Sequence, residues 1–149
     1  MGWEIRDEVE IEASPEAVWD VLMDFDSYPS WNPFIRRLNG RSEVGSKLRA
    51  RLEPPTGRGM TFRPTVTTLR PRESFGWLGP LGLPGVFDGA HRFELVPLDG
   101  GRTRFIQSER FDGILAGPLQ RSIRDRTLPG FKDMNRALAE RARAASSSA

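Results

Sequence analysis

The sequence of 149 residues contains no cysteine and only one histidine, His91. The absence of cysteine excludes disulfide bonds, thiolate nucleophiles and thiolate metal ligands. A histidine-based metal cluster or a catalytic triad would depend on His91 alone, because both kinds of site are built around an imidazole. We therefore expect no bound metal and no cofactor.

Long apolar runs and a strong excess of one charge are also missing. No segment approaches the roughly 20 apolar residues of a membrane span, and the first residues lack the apolar core of a signal peptide. The formal net charge is only +2, which gives little support for a phosphate-binding surface. We expect a cytoplasmic protein, and we expect neither a nucleic-acid partner nor membrane contact.

The composition that is present suits a single folded domain. Hydrophobic residues make up 38% of the chain and charged residues 28%, as in a typical globular protein. A chain of this length can bury roughly 70% of the surface that its unfolded form exposes. We predict one domain over residues 1–149, with a disordered tail at 145–149.

The first stretch of the chain alternates between apolar and polar residues, which predicts a strand with one buried face. The apolar residues of this face are Trp3, Ile5, Val9 and Ile11. Asp7 is the only polar residue on the same face. Ser14 and Pro15 then predict the start of a helix, because serine caps free backbone N–H groups and proline suits the first turn. A second short helix is expected near Pro29–Trp31.

The middle of the chain alternates strands with turns. We predict about six strands in this part, at Phe34–Ser42, Lys47–Glu53, Met60–Leu69, Ser74–Leu78, Ala90–Leu98 and Arg102–Phe111. Asp99-Gly100-Gly101, between the last two, is a strong signal for a hairpin. Because strands that follow each other usually pair, we expect a single antiparallel sheet.

The last long stretch, Gly117–Ala144, has the periodicity of an amphipathic helix. Its apolar stripe recurs at steps of three or four residues and consists of Leu119, Ile123, Thr127, Phe131, Met134 and Leu138. Pro129 lies within this stretch, so we expect a kink or a break there. Either the first part of the helix moves as a gate together with the loop Gly79–Gly89, or the kink only bends the helix around the sheet.

The order of these elements predicts an α+β fold. We expect a curved antiparallel sheet of about seven strands wrapped around the long C-terminal helix, with two short helices between the first and second strands. The space between such a helix and the sheet can hold either a solid core or a pocket.

Motifs along nearly the whole chain carry a family resemblance. They are Ala13–Trp19, Asp26–Phe34, His91–Leu95, Thr103–Phe105, Glu109–Gly113, and Gly130-Phe131 with Met134–Leu138. In this order they resemble the SRPBCC superfamily, the START and birch-pollen-allergen-like helix-grip folds, and within it the polyketide cyclase/dehydrase-like branch. The resemblance implies a helix-grip fold with a cavity for a hydrophobic ligand between the sheet and the closing helix. It supplies no catalytic motif that could be transferred to this chain.

Three polar residues are the candidates for chemistry. His91 shares strand parity with Phe93, so its side chain should point inward. Gln107 and Glu109 share inward parity with Phe111 on the next strand. If the register of the hairpin places these faces side by side, the three residues form a polar cluster in an apolar wall. Such a cluster could be a structural network, could orient a ligand, or could act as an acid/base pair.

Apolar side chains with inward parity are expected to line the cavity around this cluster, although an ordinary core explains the same pattern. We expect the ligand-binding residues to be His91, Gln107, Glu109, Phe62, Trp77, Phe93, Phe111, Ile123, Phe131 and Met134.

The leading functional hypothesis is binding or transport of a small hydrophobic, aromatic or lipid-like ligand in an internal cavity. The alternative is an enzyme of the polyketide cyclase/dehydratase type, with His91 and Glu109 as acid and base. A third hypothesis is a partner-binding module without a ligand. The arginines of the closing helix are expected to form a solvated face, with an anionic membrane surface as the alternative. We expect a monomer or a homodimer.

Overall fold

The structure, a computed structural model, describes residues 2–80 and 86–147. Three α-helices lie in these ranges: α1 (Pro15–Met23), α2 (Tyr28–Trp31) and the long α3 (Gln120–Ser147). A short 3-10 helix, Phe25–Ser27, joins α1 to α2. The strands are β1 (Trp3–Ile11), β2 (Ile35–Asn39), β3 (Arg49–Leu52), β4 (Met60–Phe62), β5 (Thr65–Arg70), β6 (Ser74–Pro80), β7 (Asp88–Leu98) and β8 (Arg102–Asp112).

The strands form a five-stranded sheet in the order β1-β8-β7-β6-β5 and a three-stranded sheet in the order β2-β3-β4, and all neighbours are antiparallel. Backbone hydrogen bonds join the two sheets: the Leu48 N–H donates to Pro64 O at 2.8 Å and the Val66 N–H donates to Ser46 O at 2.9 Å. The predicted α+β helix-grip architecture is confirmed. The prediction of one sheet is corrected to two sheets that meet along this seam.

One predicted strand, Met60–Leu69, is divided into β4 and β5. The division falls at Arg63 and Pro64. Proline has no N–H to donate and is poorly suited to the interior of a sheet, so the chain leaves one ladder there and starts the next. β4 pairs with β3 and β5 pairs with β6, which places the two halves of the predicted strand in different sheets.

The start of α1 is formed as the sequence predicts. The Ser14 hydroxyl accepts a hydrogen bond from the Ala17 N–H at 3.2 Å, and Pro15 occupies the first helical turn. The Tyr28 hydroxyl donates to the Leu22 carbonyl at 2.6 Å, which ties α2 to α1. Burial raises the pKa of the Tyr28 phenol, so the hydroxyl remains a donor. These contacts fix the chain as it enters β2.

The closing helix, α3, is continuous through Pro129, so the break that the sequence indicated does not occur. Proline cannot donate the helical hydrogen bond to the carbonyl four residues earlier, which here is that of Asp125. Because Asp125 is exposed, this missing hydrogen bond falls at a solvent-facing position. The helix also extends to Ser147, which places 145–147 of the predicted disordered tail in the helix. Residues 148–149 of that tail lie outside the described residues. Most of the predicted Gly79–Gly89 gate loop, residues 81–85, lies outside them as well.

The two halves of α3 are buried to different degrees. In the second half, Phe131, Met134, Leu138 and Ala142 are fully buried, and the helix packs against β1 and α1. In the first half, Ile123 and Thr127 are only half-buried. Leu119, which was expected to start the buried stripe, lies before the helix and is 39% exposed. The periodicity identifies the face of the helix correctly, but only the second half of that face meets a solid core.

Gly130 is the point where the solid half begins. A β-carbon on Gly130 would overlap the ring of Phe34, so the absence of a side chain lets this ring pack directly against the helix backbone. The same ring contacts Phe131 edge-on, with ring centroids 5.8 Å apart. Phe34 therefore separates the solid core under the second half of α3 from the space under the first half.

Candidate functional site

A cavity of about 250 Å³ lies under the first half of α3. The helix contributes Ile123, Arg126 and Thr127. The three-stranded sheet and its β3–β4 connection contribute Leu52, Pro54, Arg58, Met60 and Phe62. The remaining walls are Phe34, Phe87, Glu109 and Phe111. The lining is largely apolar, so the cavity suits the body of a hydrophobic molecule.

Among the described residues that line the cavity, Glu109 is the one carboxylate, and it is 5% exposed. It lies on β8 directly opposite His91 on β7, and its Oε1 is 3.4 Å from His91 Nδ1. Gly89 makes room for the carboxylate, because a β-carbon there would lie 2.6 Å from Glu109 Oε2. The register of β7 and β8 thus meets the condition that the sequence left open and places His91 beside Glu109.

A chain of hydrogen bonds leads from His91 away from the cavity. His91 Nε2 is 2.9 Å from Gln107 Oε1, and Gln107 Nε2 donates to Asn135 Oδ1 of α3 at 2.8 Å. Asn135 Nδ2 donates to Asp7 Oδ2 of β1 at 2.9 Å, and the Lys132 ammonium donates to the other oxygen of Asp7 at 2.9 Å. The polar residue on the apolar face of β1 thus connects the buried cluster to the surface.

The order of donors along this chain fixes the hydrogen on the imidazole. The Asp7 carboxylate only accepts, so Asn135 donates with its NH₂ group and accepts on its oxygen. Gln107 therefore donates to Asn135 and accepts from His91, which places a hydrogen on Nε2 of the ring. A neutral imidazole then turns a lone pair on Nδ1 toward Glu109.

The residues predicted to bind a ligand occupy three places. Phe62, Glu109, Phe111 and Ile123 line the cavity. His91 and Gln107 are buried behind Glu109. The others are fully buried side chains of the solid core, and they are Trp77, Phe93, Phe131 and Met134.

The sequence did not single out several residues of the lining. They are Phe34, Leu52, Pro54, Arg58, Met60, Phe87, Arg126 and Thr127. Arg126 lies three residues after Ile123, so helical spacing alone could have placed it beside the cavity. The residues of the β3–β4 connection carry no such periodic signal.

No metal site accompanies the cavity in residues 2–80 and 86–147, because nowhere in these ranges do three carboxylate or imidazole side chains come together. Among the same residues, no helix combines the length and the apolar character that crossing a bilayer requires. The polar side chains that this part of the chain brings to the cavity are Glu109, with His91 behind it, Thr127, Arg58 and Arg126.

Solved structures with the same architecture come from several organisms. The Zhui aromatase/cyclase of a Streptomyces species has a TM-score of 0.77 at 16% identity, over 95% of this chain and 94% of its own. A Thermus thermophilus protein has a TM-score of 0.75 at 19% identity, over 97% and 99%. Norcoclaurine synthase of Thalictrum flavum, in complex with a transition-state analogue, has a TM-score of 0.71 at 15% identity, over 95% and 94%. At these identities the likeness shows the fold alone.

The sequence itself supplies the assignment to a family. No curated protein matches it significantly. The family model described as polyketide cyclase/dehydrase and lipid transport matches residues 2–146, which is nearly the whole chain. This protein therefore belongs to the polyketide cyclase/dehydrase and lipid transport family.

Proposed function

We propose that the protein binds a small hydrophobic or aromatic ligand in the cavity under the first half of α3. The observation that supports this proposal is an apolar space of about 250 Å³ with one buried carboxylate, Glu109, in its wall. Ligand cavities usually measure about 300–1,000 Å³, so a compact ligand fits better than a large lipid. Burial of about 200 Å² of apolar ligand surface would contribute about 5 kcal/mol before the costs of ordering the ligand.

Glu109 is the group that would orient the ligand. Its Oε1 faces His91, whereas no protein group among the described residues forms a hydrogen bond with its Oε2. This oxygen can accept a hydrogen bond from a hydroxyl or N–H group of the ligand. His91 and Gln107 are held behind Glu109, so in this proposal they position the carboxylate and do not contact the ligand.

Filling the cavity should abolish binding. We expect Ile123→Trp to lower the affinity for the neutral fluorescent probe N-phenylnaphthylamine at least about tenfold, because the indole would occupy the space that the probe needs. Leu119→Trp is the matched control, since Leu119 lies one turn earlier and outside the cavity lining. Fluorescence titration measures both. Unchanged binding by Ile123→Trp, or equal losses in both variants, would refute the location of the site.

An enzyme of the polyketide cyclase/dehydratase type is the second candidate function. The observation that favours it is the contact between Glu109 and His91, 3.4 Å from Oε1 to Nδ1, which places a carboxylate backed by an imidazole in the apolar wall of the cavity. Such a pair could take a proton from a substrate carbon or hydroxyl group and return it at a later step. The aromatase/cyclase among the structural neighbours makes polyketide-like and aromatic substrates the first ones to assay.

The variant Glu109→Gln separates the two functions. If the protein is an enzyme, we expect turnover to fall by about 10²–10⁴-fold, because the amide cannot accept the proton, while ligand affinity changes much less. Asp112→Asn, a change at a half-buried position outside the cavity lining at the end of the same strand, is the control. Full turnover in Glu109→Gln would exclude the acid/base role. Binding without turnover in the native protein would leave ligand binding as the function.

A further inference from the structure

Two arginines from different elements of the fold lie at the mouth of the cavity. Arg126 comes from α3 and Arg58 comes from the β3–β4 connection, and both are exposed while lining the cavity. The stem of Arg126 packs over Gly57, where a β-carbon would lie 2.7 Å from Arg126 Cδ. Because Gly57 is the neighbour of Arg58 in the chain, this contact brings the two cationic side chains to the same edge of the opening.

Neither of these guanidinium groups has an ion-pair or hydrogen-bond partner within the described parts of the chain. The outer face of the large sheet is different, because Arg104 pairs with Glu8 and Glu10, and Arg102 pairs with Glu10 at 2.7 Å. The mouth of the cavity therefore carries two uncompensated positive charges. Glu109, the only carboxylate among the lining residues that the structure describes, is buried and contacts His91.

We infer that the cavity selects compact apolar ligands that carry one anionic group, a carboxylate or a sulfonate, bound between Arg58 and Arg126. This inference rests on the proposed ligand-binding function. Two guanidinium groups offer several N–H donors in a planar arrangement that matches such an anion. The anion also relieves the repulsion between the two like charges, whereas a neutral ligand would leave them unpaired. The apolar body then lies between Ile123, Phe62 and Phe111, next to Glu109.

A matched pair of dyes tests the anionic group directly. Anilinonaphthalene sulfonate differs from N-phenylnaphthylamine only by its sulfonate. We expect the native protein at low salt to bind the sulfonate dye about tenfold more tightly, as charged hydrogen bonds at the edge of an apolar site would produce. In the double variant Arg58→Gln/Arg126→Gln, this preference should disappear, so that the ratio of the two dye affinities falls to about one.

The double variant Arg121→Gln/Arg124→Gln is the control for non-specific attraction of the sulfonate. These two arginines are exposed on the same helix but lie outside the cavity lining. We expect the control to keep the native preference. Equal affinity of the native protein for both dyes, or a preference that survives in the Arg58/Arg126 variant, would overturn the inference and leave ligand binding intact. Absence of binding by both dyes would overturn the proposed function as well.

Competition then distinguishes the two sources of such an anion, an aromatic acid and a fatty acid. Naphthoate is compared with naphthol, and octanoate with octanol, as competitors of the bound sulfonate dye. Stronger displacement by naphthoate, by octanoate or by both supports the anionic ligand and identifies an aromatic or an acyl body. If each neutral alcohol displaces the dye as strongly as the corresponding acid does, the role of the two arginines is contradicted.

Discussion

Phe131→Ala is expected to lower the free energy of unfolding by about 3–5 kcal/mol. Phe131 is fully buried where α3 meets the sheet, and its ring contacts Phe34 and His91 with centroids 5.8 and 5.2 Å away. Removing the ring would leave a void that these neighbours, which are held by their own contacts, cannot fill. Urea unfolding followed by circular dichroism at 25 °C measures the change.

Ile123→Ala is the matched control on the same helix, two turns earlier. Ile123 is half-buried and already faces the cavity, so its truncation should cost about 1 kcal/mol or less. The difference between the two variants measures how much more tightly the second half of α3 is packed. A loss below about 1 kcal/mol for Phe131→Ala, or similar losses at both positions, would show that α3 is not divided into a packed half and a hollow half.

Gln107→Leu should be the second large effect, a loss of about 2–4 kcal/mol in the free energy of unfolding. Leucine has a similar volume but leaves the His91 Nε2–H group and Asn135 Oδ1 without partners. Each buried polar group that loses its partner costs about 1–3 kcal/mol. Both neighbours are nearly inaccessible to water, so solvent cannot replace the amide. Urea unfolding of Gln107→Leu, with the exposed change Gln120→Leu as control, measures this cost.

The double variant Gln107→Leu/Asn135→Leu tests whether the network acts as a unit. Asn135→Leu removes Asn135 Oδ1, the acceptor that Gln107→Leu leaves without a partner. The double variant should therefore lose less stability than the sum of the losses in the two single variants. The single histidine allows a second readout, since the imidazole ¹⁵N signals can come only from His91. They should show a hydrogen on Nε2 in the native protein. If the losses in the free energy of unfolding are additive and His91 Nε2 carries no hydrogen, the hydrogen-bond chain is refuted.

The sequence predicts the β7–β8 hairpin and the inward parity of its residues, but it left open the register, which determines the central pair of the site. The three-residue turn Asp99-Gly100-Gly101 pairs Leu98 with Arg102. Strand pairing then continues one residue at a time on both sides and reaches His91 opposite Glu109. The inward parity of both residues follows from the alternation of side chains along a strand. Turn chemistry and strand parity therefore indicated the hairpin and its inward faces, and the structure supplies the register that places His91 opposite Glu109.

The partners of that pair in other elements could not be predicted in the same way. Asn135 contacts Gln107 and Asp7 because α3 crosses β1 and β8 at one particular point. This crossing point is set by packing between distant segments, such as the approach of Phe34 to Gly130. Periodicity shows which face of a helix is buried but gives no information on what lies opposite each turn. For this reason the sequence indicated Met134 and Ile123 as equivalent lining residues, whereas one is in the core and the other at the cavity.

Methionine methyl resonances offer the most direct test of a ligand site under the first half of α3. The chain has four methionines, and two of them report on the two halves of the interior. Met60 lines the cavity, whereas Met134 is fully buried in the solid core. Titration of ¹³C-methyl-methionine protein with N-phenylnaphthylamine should shift the Met60 signal in a saturable manner and leave Met134 nearly unchanged. A saturable shift of Met134 with Met60 unmoved, or no saturable shift of either, would contradict the site.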